Sequence, residues 1–257
     1  MKMNEFTNLP AIIVPARLAS TRLPRKLLMD IGGKPLILWT AERLREVASE
    51  FELFFAVDGE DLGAVLESNG FSVIQTDPDL ASGTDRIAAA NELIKAKTVI
   101  NVQADEPLIH REHILSLVES VNSSSISMST IAVPFENEED FLDPNQVKVV
   151  LDQKGCALYF SRSPIPHQRS DVKGDSFTLL NPLPLKHIGI YAYNAEFLKS
   201  FTKSSPGNLE KCEKLEQLRA LEIGAKIHVS VMEIESMGID TLEDFEAFER
   251  RMMNIRK

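Results

Sequence analysis

Four short apolar runs, each followed by a segment of helical spacing, limit what the first half of this chain can become more than any other feature. The runs are Ala11–Val14, Leu53–Val57, Phe71–Gln75 and Thr98–Val102. The first, Ala11-Ile12-Ile13-Val14, is rich in β-branched residues and bounded by Pro10 and Pro15, so it reads as a buried strand. Between Pro35 and Ala48 the apolar positions Leu36, Ile37, Trp39, Leu44 and Val47 recur at helical spacing, with Pro35 placed like a first-turn proline. Asp61–Ser68, Thr84–Ala96 and Arg111–Val121 supply further helices, and Gly32-Gly33 marks a turn. Strands that alternate with helices imply right-handed βαβ crossovers and a mostly parallel sheet covered on both faces.

After Asn122 the rhythm changes. Ser127–Val133, Val147–Leu151, Ala157–Ser161 and His187–Tyr193 read as strands, with a proline-rich connection around Pro164–Pro184. Helices return at Ala195–Phe201 and Leu209–Ile223, Ile227–Val231 reads as a late strand, and Thr241–Met253 as a closing helix capped by Asp240 or Thr241. The expected fold class is α/β: one nucleotide-binding domain over residues 1–257, containing an inserted, more antiparallel lobe at 145–235.

Composition narrows the function. The chain is 44% apolar and 26% charged, as an ordinary soluble globule is. Its two cysteines, Cys156 and Cys212, have no partner spacing, which argues against a disulfide framework or zinc knuckle and suits a reducing cytoplasm. With no run of about eighteen apolar residues and a polar Met1–Pro10, neither a spanning helix nor a secretory signal is expected. A net charge of −10 argues against nucleic acid as a partner. An anionic substrate would have to be met by cations gathered locally.

Ligands of open parallel sheets sit at the carboxyl ends of the strands. After the first run comes Pro15-Ala16-Arg17-Leu18-Ala19-Ser20-Thr21-Arg22-Leu23-Pro24-Arg25-Lys26, where cations alternate with small residues. Such a loop can cradle a polyphosphate with arginine forks, a lysine and backbone amides; it can equally be a solvated basic loop. It is neither a Walker A loop nor a G-x-G-x-x-G turn. After the second run, Asp58-Gly59-Glu60-Asp61 lacks the ligand ladder of a calcium loop and reads by default as helix-capping carboxylates. Ser82-Gly83-Thr84-Asp85-Arg86 is either an N-cap with a permissive glycine or a backbone contact to a base or ribose. Asn101-Val102-Gln103-Ala104-Asp105-Glu106-Pro107 follows the fourth run, and an acid there could hold Mg²⁺ on phosphates or could serve as a cap or ion-pair partner. His110 and His113 have no third ligand at zinc spacing.

The blocks at 15–24 and 101–107 resemble the sugar-activating cytidylyltransferases, and among them the CMP-Kdo synthetases. Collinear matches continue through Asn145–Val150, Ala157–Arg162, His187–Tyr191, Lys214–Arg219 and Gly238–Thr241, so that the resemblance covers roughly residues 10–250. It implies an α/β nucleotidyltransferase, Rossmann-like and glycosyltransferase-A-like, working as a homodimer through the inserted lobe. The implied reaction is attack by the anomeric hydroxyl of the eight-carbon sugar acid Kdo on the α-phosphorus of CTP, with diphosphate leaving and CMP-Kdo formed for lipopolysaccharide synthesis. Matched by position, Arg17 and Lys26 bind the triphosphate with amides from Ala16 to Ser20, and Ser82, Gly83 and Arg86 bind cytidine. Asp105 and Asp240 match the Mg²⁺ ligands, so that Arg17, Lys26 and Asp105 carry catalysis. Gln103, Arg162, His187, Tyr191, Glu216 and Gln217 match the sugar-acid pocket, with Arg162 and His187 suited to its carboxylate and the amides and Glu216 to its hydroxyls.

Departures from the family pattern fall at Arg25, where Gly is common, with Leu27 in place of Pro, at Val57 in place of Thr, and at Ala104 in place of Gly. The alternative acceptors are 8-amino-Kdo and sialic acid, and the Lys214–Arg219 and His187–Tyr191 blocks favour Kdo over sialic acid. A non-catalytic nucleotide-sugar-binding regulator is the alternative of another class. It would not need Arg17, Lys26, Asp105 and Asp240 together.

Overall fold

The computed structural model describes residues 9–19, 23–122, 125–167, 184–236 and 238–255. They divide into two compact units, the first formed by the chain up to Leu115 together with the segment from Ser236 onward, the second by Ser116–Glu235. The lobe expected at 145–235 falls inside the second unit, which starts earlier, at residue 116.

The first unit opens with β1 (Ala11–Ala16), whose six residues are all buried. A short 3-10 turn at Lys26–Leu28 precedes a small hairpin of β2 (Asp30–Ile31) and β3 (Lys34–Pro35). Gly32 and Gly33 turn that hairpin with φ of 60° and 95°, a backbone pair that favours glycine in two-residue turns. Then come α1 (Leu36–Val47), β4 (Glu52–Val57), α2 (Glu60–Ser68), β5 (Ser72–Gln75), α3 (Gly83–Ile94) and β6 (Thr98–Asn101). The strands pair in the order β6-β1-β4-β5, every pair parallel. The sequence pattern ends β1 at Val14, before Pro15. The strand instead runs to Ala16, because its ladder with β6 ends at Ile13↔Asn101 while that with β4 continues to Ala16↔Val57.

Helix α4 (Arg111–Val121) starts in this unit. Within the second unit, β7 (Met128–Pro134), α5 (Glu138–Leu142), β8 (Lys148–Leu151), β9 (Ala157–Ser161) and β10 (Leu185–Asn194) are followed by α6 (Ala195–Lys203), α7 (Asn208–Glu213), α8 (Gln217–Glu222) and β11 (Ile227–Val231). Here β7 pairs antiparallel with β10 and parallel with β11, and β8 pairs antiparallel with both β10 and β9. The chain is therefore α/β, parallel in its first unit and more antiparallel in its second.

One element departs from its periodicity. The single helix expected over Leu209–Ile223 is two, broken where Lys214 adopts a left-handed φ of 54° and donates its N–H to Glu210 O. The break starts a new helix at Gln217, with Glu216 at its N-cap position.

The last element, α9 (Leu242–Ile255), belongs to the first unit. Phe248 packs edge-on against Trp39 of α1, with ring centroids 5.7 Å apart. Among the described residues no helix is long and apolar enough to cross a membrane.

Candidate active site

At the carboxyl ends of β1 and β6 one ammonium gathers two carboxylates. Lys26 Nζ donates to Asp105 Oδ2, to Asp240 Oδ1 at 3.0 Å and to Ile239 O at 2.8 Å. Burial pulls the lysine pKa down, but Asp105 and Asp240 outweigh it and the net shift is upward. Lys26 is therefore a fixed positive charge at neutral pH and not a base.

Backbone contacts hold the two distant carboxylates in place. Ile239 N donates to Asp105 O at 2.9 Å, and the Ser236 hydroxyl donates to the buried Glu106. Gly238 passes so close to Glu106 that an added Cβ would lie 3.0 Å from its Oε1. Asp240 does not cap α9. Thr241 Oγ1 accepts from Asp244 N at 3.1 Å while Asp244 Oδ2 accepts from Thr241 N at 2.8 Å, a reciprocal cap, and the Asp240 carboxylate meets Lys26.

Lys26 is aimed by a strained residue. Arg25 has φ 56°, the left-handed region that favours glycine, and its guanidinium reaches Asp61 at 2.8 Å. The other departures are quieter. Ala104 is buried and is not among the positive-φ residues described, so its methyl adds no backbone strain, and Val57 is sealed in the core.

Asp58 overturns its expected role. Helix α2 has Gly59 at its N-cap position, with no side-chain cap. Asp58 Oδ1 instead accepts from Leu18 N at 3.2 Å, and its Oδ2 stands 3.9 Å from Arg86 NH2. It thus pins the loop that follows β1. Its partners lie 40 and 28 positions away, so no local signal marks it.

The cytidine candidates divide in the same way. Ser82 is the N-cap of α3, accepting from Asp85 N at 3.1 Å and donating to Asp85 Oδ2 at 2.9 Å. A Cβ on Gly83 would meet Pro15 Cγ at 3.3 Å, so glycine lets α3 start against β1. Arg86 is buried, donating to the Thr76 hydroxyl and to Asp77 O at 3.3 Å. Desolvation and nearby Arg17 lower its pKa, against Asp58 and Asp77. It braces the ends of β4 and β5. Ala16 is buried at the end of β1, and Arg17 after it is exposed. Ser20 lies outside the described residues, as do Thr21 and Arg22. Gln103, half-buried, makes a long 3.5 Å contact to Asn101 Oδ1.

The remaining candidates sit in the second unit. His187 is buried beneath Phe160, centroids 5.0 Å apart, beside Tyr191 at 5.5 Å. Burial pushes its pKa down to about 3, so the ring is neutral at neutral pH. The imidazolium that would best suit a carboxylate is not the form this site stabilises. Burial, with Glu216 adding to it, also raises the Tyr191 phenol, which stays protonated.

Arg162 spends part of its fork on the protein, donating from Nε to Glu213 O at 2.8 Å and from NH1 to Pro144 O at 2.9 Å. The fully buried Lys148 ammonium braces that turn through Asp143 O and Arg162 O. Gln217 is 5% exposed at the start of α8. Glu216 stands 3.8 Å from Arg219.

No group of three or more His, Cys, Asp or Glu among the described residues could hold a metal. His110 and His113 stack edge-on, and His110 N donates to His113 Nδ1 at 3.3 Å. Asp105 and Asp240 still suit Mg²⁺, which takes one or two carboxylates and fills its other positions with water and phosphate oxygens.

The family model described as Cytidylyltransferase matches residues 11–227. A 3-deoxy-manno-octulosonate cytidylyltransferase of Vibrio parahaemolyticus serotype O3:K6 is 41% identical over 92% of this chain and 95% of its own length. The Vibrio campbellii enzyme of the same name is 43% identical over 92% and 94%. A solved structure of CMP:2-keto-3-deoxy-manno-octonic acid synthetase complexed with CTP is 33% identical and superposes with a TM-score of 0.86, covering 95% of this chain and 98% of that one.

Proposed function

The chain belongs to the cytidylyltransferase family, and from that premise we propose that it transfers CMP from CTP to the anomeric hydroxyl of Kdo, giving CMP-Kdo and diphosphate. The observation that carries this reading is the convergence of Lys26, Asp105 and Asp240 at the carboxyl ends of β1 and β6. In the reaction the anomeric oxygen bonds to the α-phosphorus as the bond to diphosphate breaks, and the hydroxyl proton is lost to solvent or phosphate. No covalent intermediate with the protein is needed, so the protein's work is positioning and charge stabilisation.

Each residue has a part in that work. Arg17 and Lys26 bear on the triphosphate, helped by amides of the loop from Ala16 to Ser20 that Asp58 pins at Leu18. Ser82, Gly83 and the braced Arg86 shape the start of α3 for the cytosine base. Asp105 and Asp240 would hold Mg²⁺, which when bound supplies positive charge to the α-phosphate and the attacking oxygen. In the second unit Arg162, His187, Tyr191, Glu216 and Gln217 recognise the sugar acid, with His187 and Gln217 both buried.

The same proposal has the protein working as a homodimer in the cytoplasm and supplying lipopolysaccharide synthesis. The two cysteines, both free thiols, suit that compartment. The deciding experiment measures diphosphate release from CTP with Kdo, 8-amino-Kdo or sialic acid, and from UTP or ATP with Kdo. Turnover should be fastest with CTP and Kdo. Equal turnover with UTP would sink the cytidine assignment, and faster turnover with another acid would replace Kdo as the acceptor.

A further inference from the structure

His187 has a neighbour that determines which of its nitrogens carries the proton. On β10 the register against β7 shifts between Ile188 and Tyr191, and the irregularity brings two carbonyls to one side chain of β7. Thr130 Oγ1 lies 3.1 Å from Ile188 O, 2.9 Å from Ile190 O and 3.0 Å from His187 Nε2.

A hydroxyl has one proton, and a carbonyl oxygen can only accept. If Thr130 gave its proton to Nε2, its oxygen would face two carbonyl oxygens at hydrogen-bond distance with no proton between them. If it gives the proton to a carbonyl, its lone pair is free for the imidazole, and Nε2 must bring an N–H. The second arrangement leaves one carbonyl without a proton facing the hydroxyl oxygen, and the first leaves both. In a buried site that difference is not screened by water. Nε2 therefore carries the hydrogen, and in a neutral ring Nδ1 carries a lone pair. Phe160 and Tyr191 flank the ring, and Nδ1 accepts no hydrogen bond from any described residue.

We propose that Thr130 is a positioning residue that fixes His187 as its Nε2–H tautomer, so that Nδ1 accepts a hydroxyl of the sugar acid instead of meeting its carboxylate. This rests on the sugar acid binding at His187, as put forward above. A carboxylate and an Nδ1 lone pair are both acceptors and repel, whereas a sugar hydroxyl can donate. The carboxylate then falls to cationic groups such as Arg162. His187 becomes a reader of hydroxyl stereochemistry, because a sugar acid with no donor at that place would leave the nitrogen unpaired.

Thr130→Val keeps the shape and removes the hydroxyl, and Thr130→Ser keeps the hydroxyl. Long-range ¹H–¹⁵N correlation spectra of the unliganded, ¹⁵N-labelled protein at neutral pH read the tautomer directly. The unaltered protein and the Ser variant should show a single Nε2–H imidazole, and the Val variant should shift towards Nδ1–H. In kinetics the Val variant should raise the KM for Kdo about tenfold while the KM for CTP stays put, and Ser should restore it. An Nδ1–H ring or an imidazolium in the unaltered protein would overturn the proposal even if the Val variant failed to fold. So would a changed tautomer with an unchanged KM for Kdo. If the unaltered enzyme did not use Kdo at all, the functional reading would fall and the hydroxyl assignment with it, while the spectra would still report the tautomer that Thr130 sets.

Discussion

Asp240 and Thr241 are adjacent, but the structure gives them separable roles, and substituting each tests both. Thr241 Oγ1 caps Asp244 N, so Thr241→Ala should cost about 1 kcal/mol of stability. For a chain of this size that is a fall of roughly 2–4 °C in Tm. Asp240 makes no cap. Its carboxylate is 49% exposed and meets a Lys26 ammonium that also holds Asp105 and Ile239 O. Such a half-exposed pair contributes about 0–1 kcal/mol, and the Asn oxygen of Asp240→Asn can still accept from Lys26. The fold should barely notice that variant.

Turnover should respond in the opposite order. If Asp240 holds Mg²⁺ with Asp105, Asp240→Asn loses roughly a hundred- to ten-thousandfold in kcat, about 3–5 kcal/mol of barrier, and needs more Mg²⁺ to saturate. Thr241→Ala should keep near-normal kcat. The assay is diphosphate release across a Mg²⁺ titration, with calorimetric Tm on the same samples. Normal turnover of Asp240→Asn at limiting Mg²⁺ would refute the metal role, and an equal loss in Thr241→Ala would show that any disturbance of this turn produces the effect.

Two further outcomes follow from the second unit. The His187 pKa of about 3 lies below the ordinary 6.5, so the unfolded chain takes its proton first as pH falls, and the associated stability is present above pH 6.5 and lost towards pH 3. Between pH 6.5 and 5 the loss should be roughly 2 kcal/mol, and urea unfolding of His187→Gln should lack that part of the decline; identical declines would show that the ring is not buried neutral. Light scattering at micromolar concentration should give twice the chain mass of 28.7 kDa, and a mass equal to one chain would contradict the homodimer.

The first unit was legible wherever the cause was local. Apolar runs spaced by helical segments gave β1, β4, β5 and β6, and Gly32-Gly33 gave the hairpin turn, because a strand and a two-residue turn each depend on a few neighbouring residues. The helix break at Lys214 was not legible. Leu209–Ile223 keeps its amphipathic pattern through the break, and a lysine in the left-handed region has no compositional mark. That break sets Gln217 at the start of α8, so the pattern that hid it also hid the local reason for the residue's position. Asp58 was misread for the converse reason: capping is what an isolated Asp-Gly suggests, whereas its partners are Leu18 and Arg86.

Charge state was the least legible property, and the Lys26 cluster and the sugar-acid candidates diverge for one physical reason. Lys26 and His187 are both basic groups removed from water, and desolvation pushes both towards neutrality. Lys26 stays charged because the fold brings two carboxylates to it from residues 79 and 214 positions away, whereas around His187 it supplies aromatic rings and one hydroxyl. Neither environment can be counted from spacing. Arg25 belongs to the same logic. Its left-handed φ is a strain of about 1 kcal/mol that glycine would relieve, and nothing adjacent in sequence calls for it. Arg25 directly precedes Lys26, whose ammonium meets both Asp105 and Asp240, so the strain sits one residue before that charge.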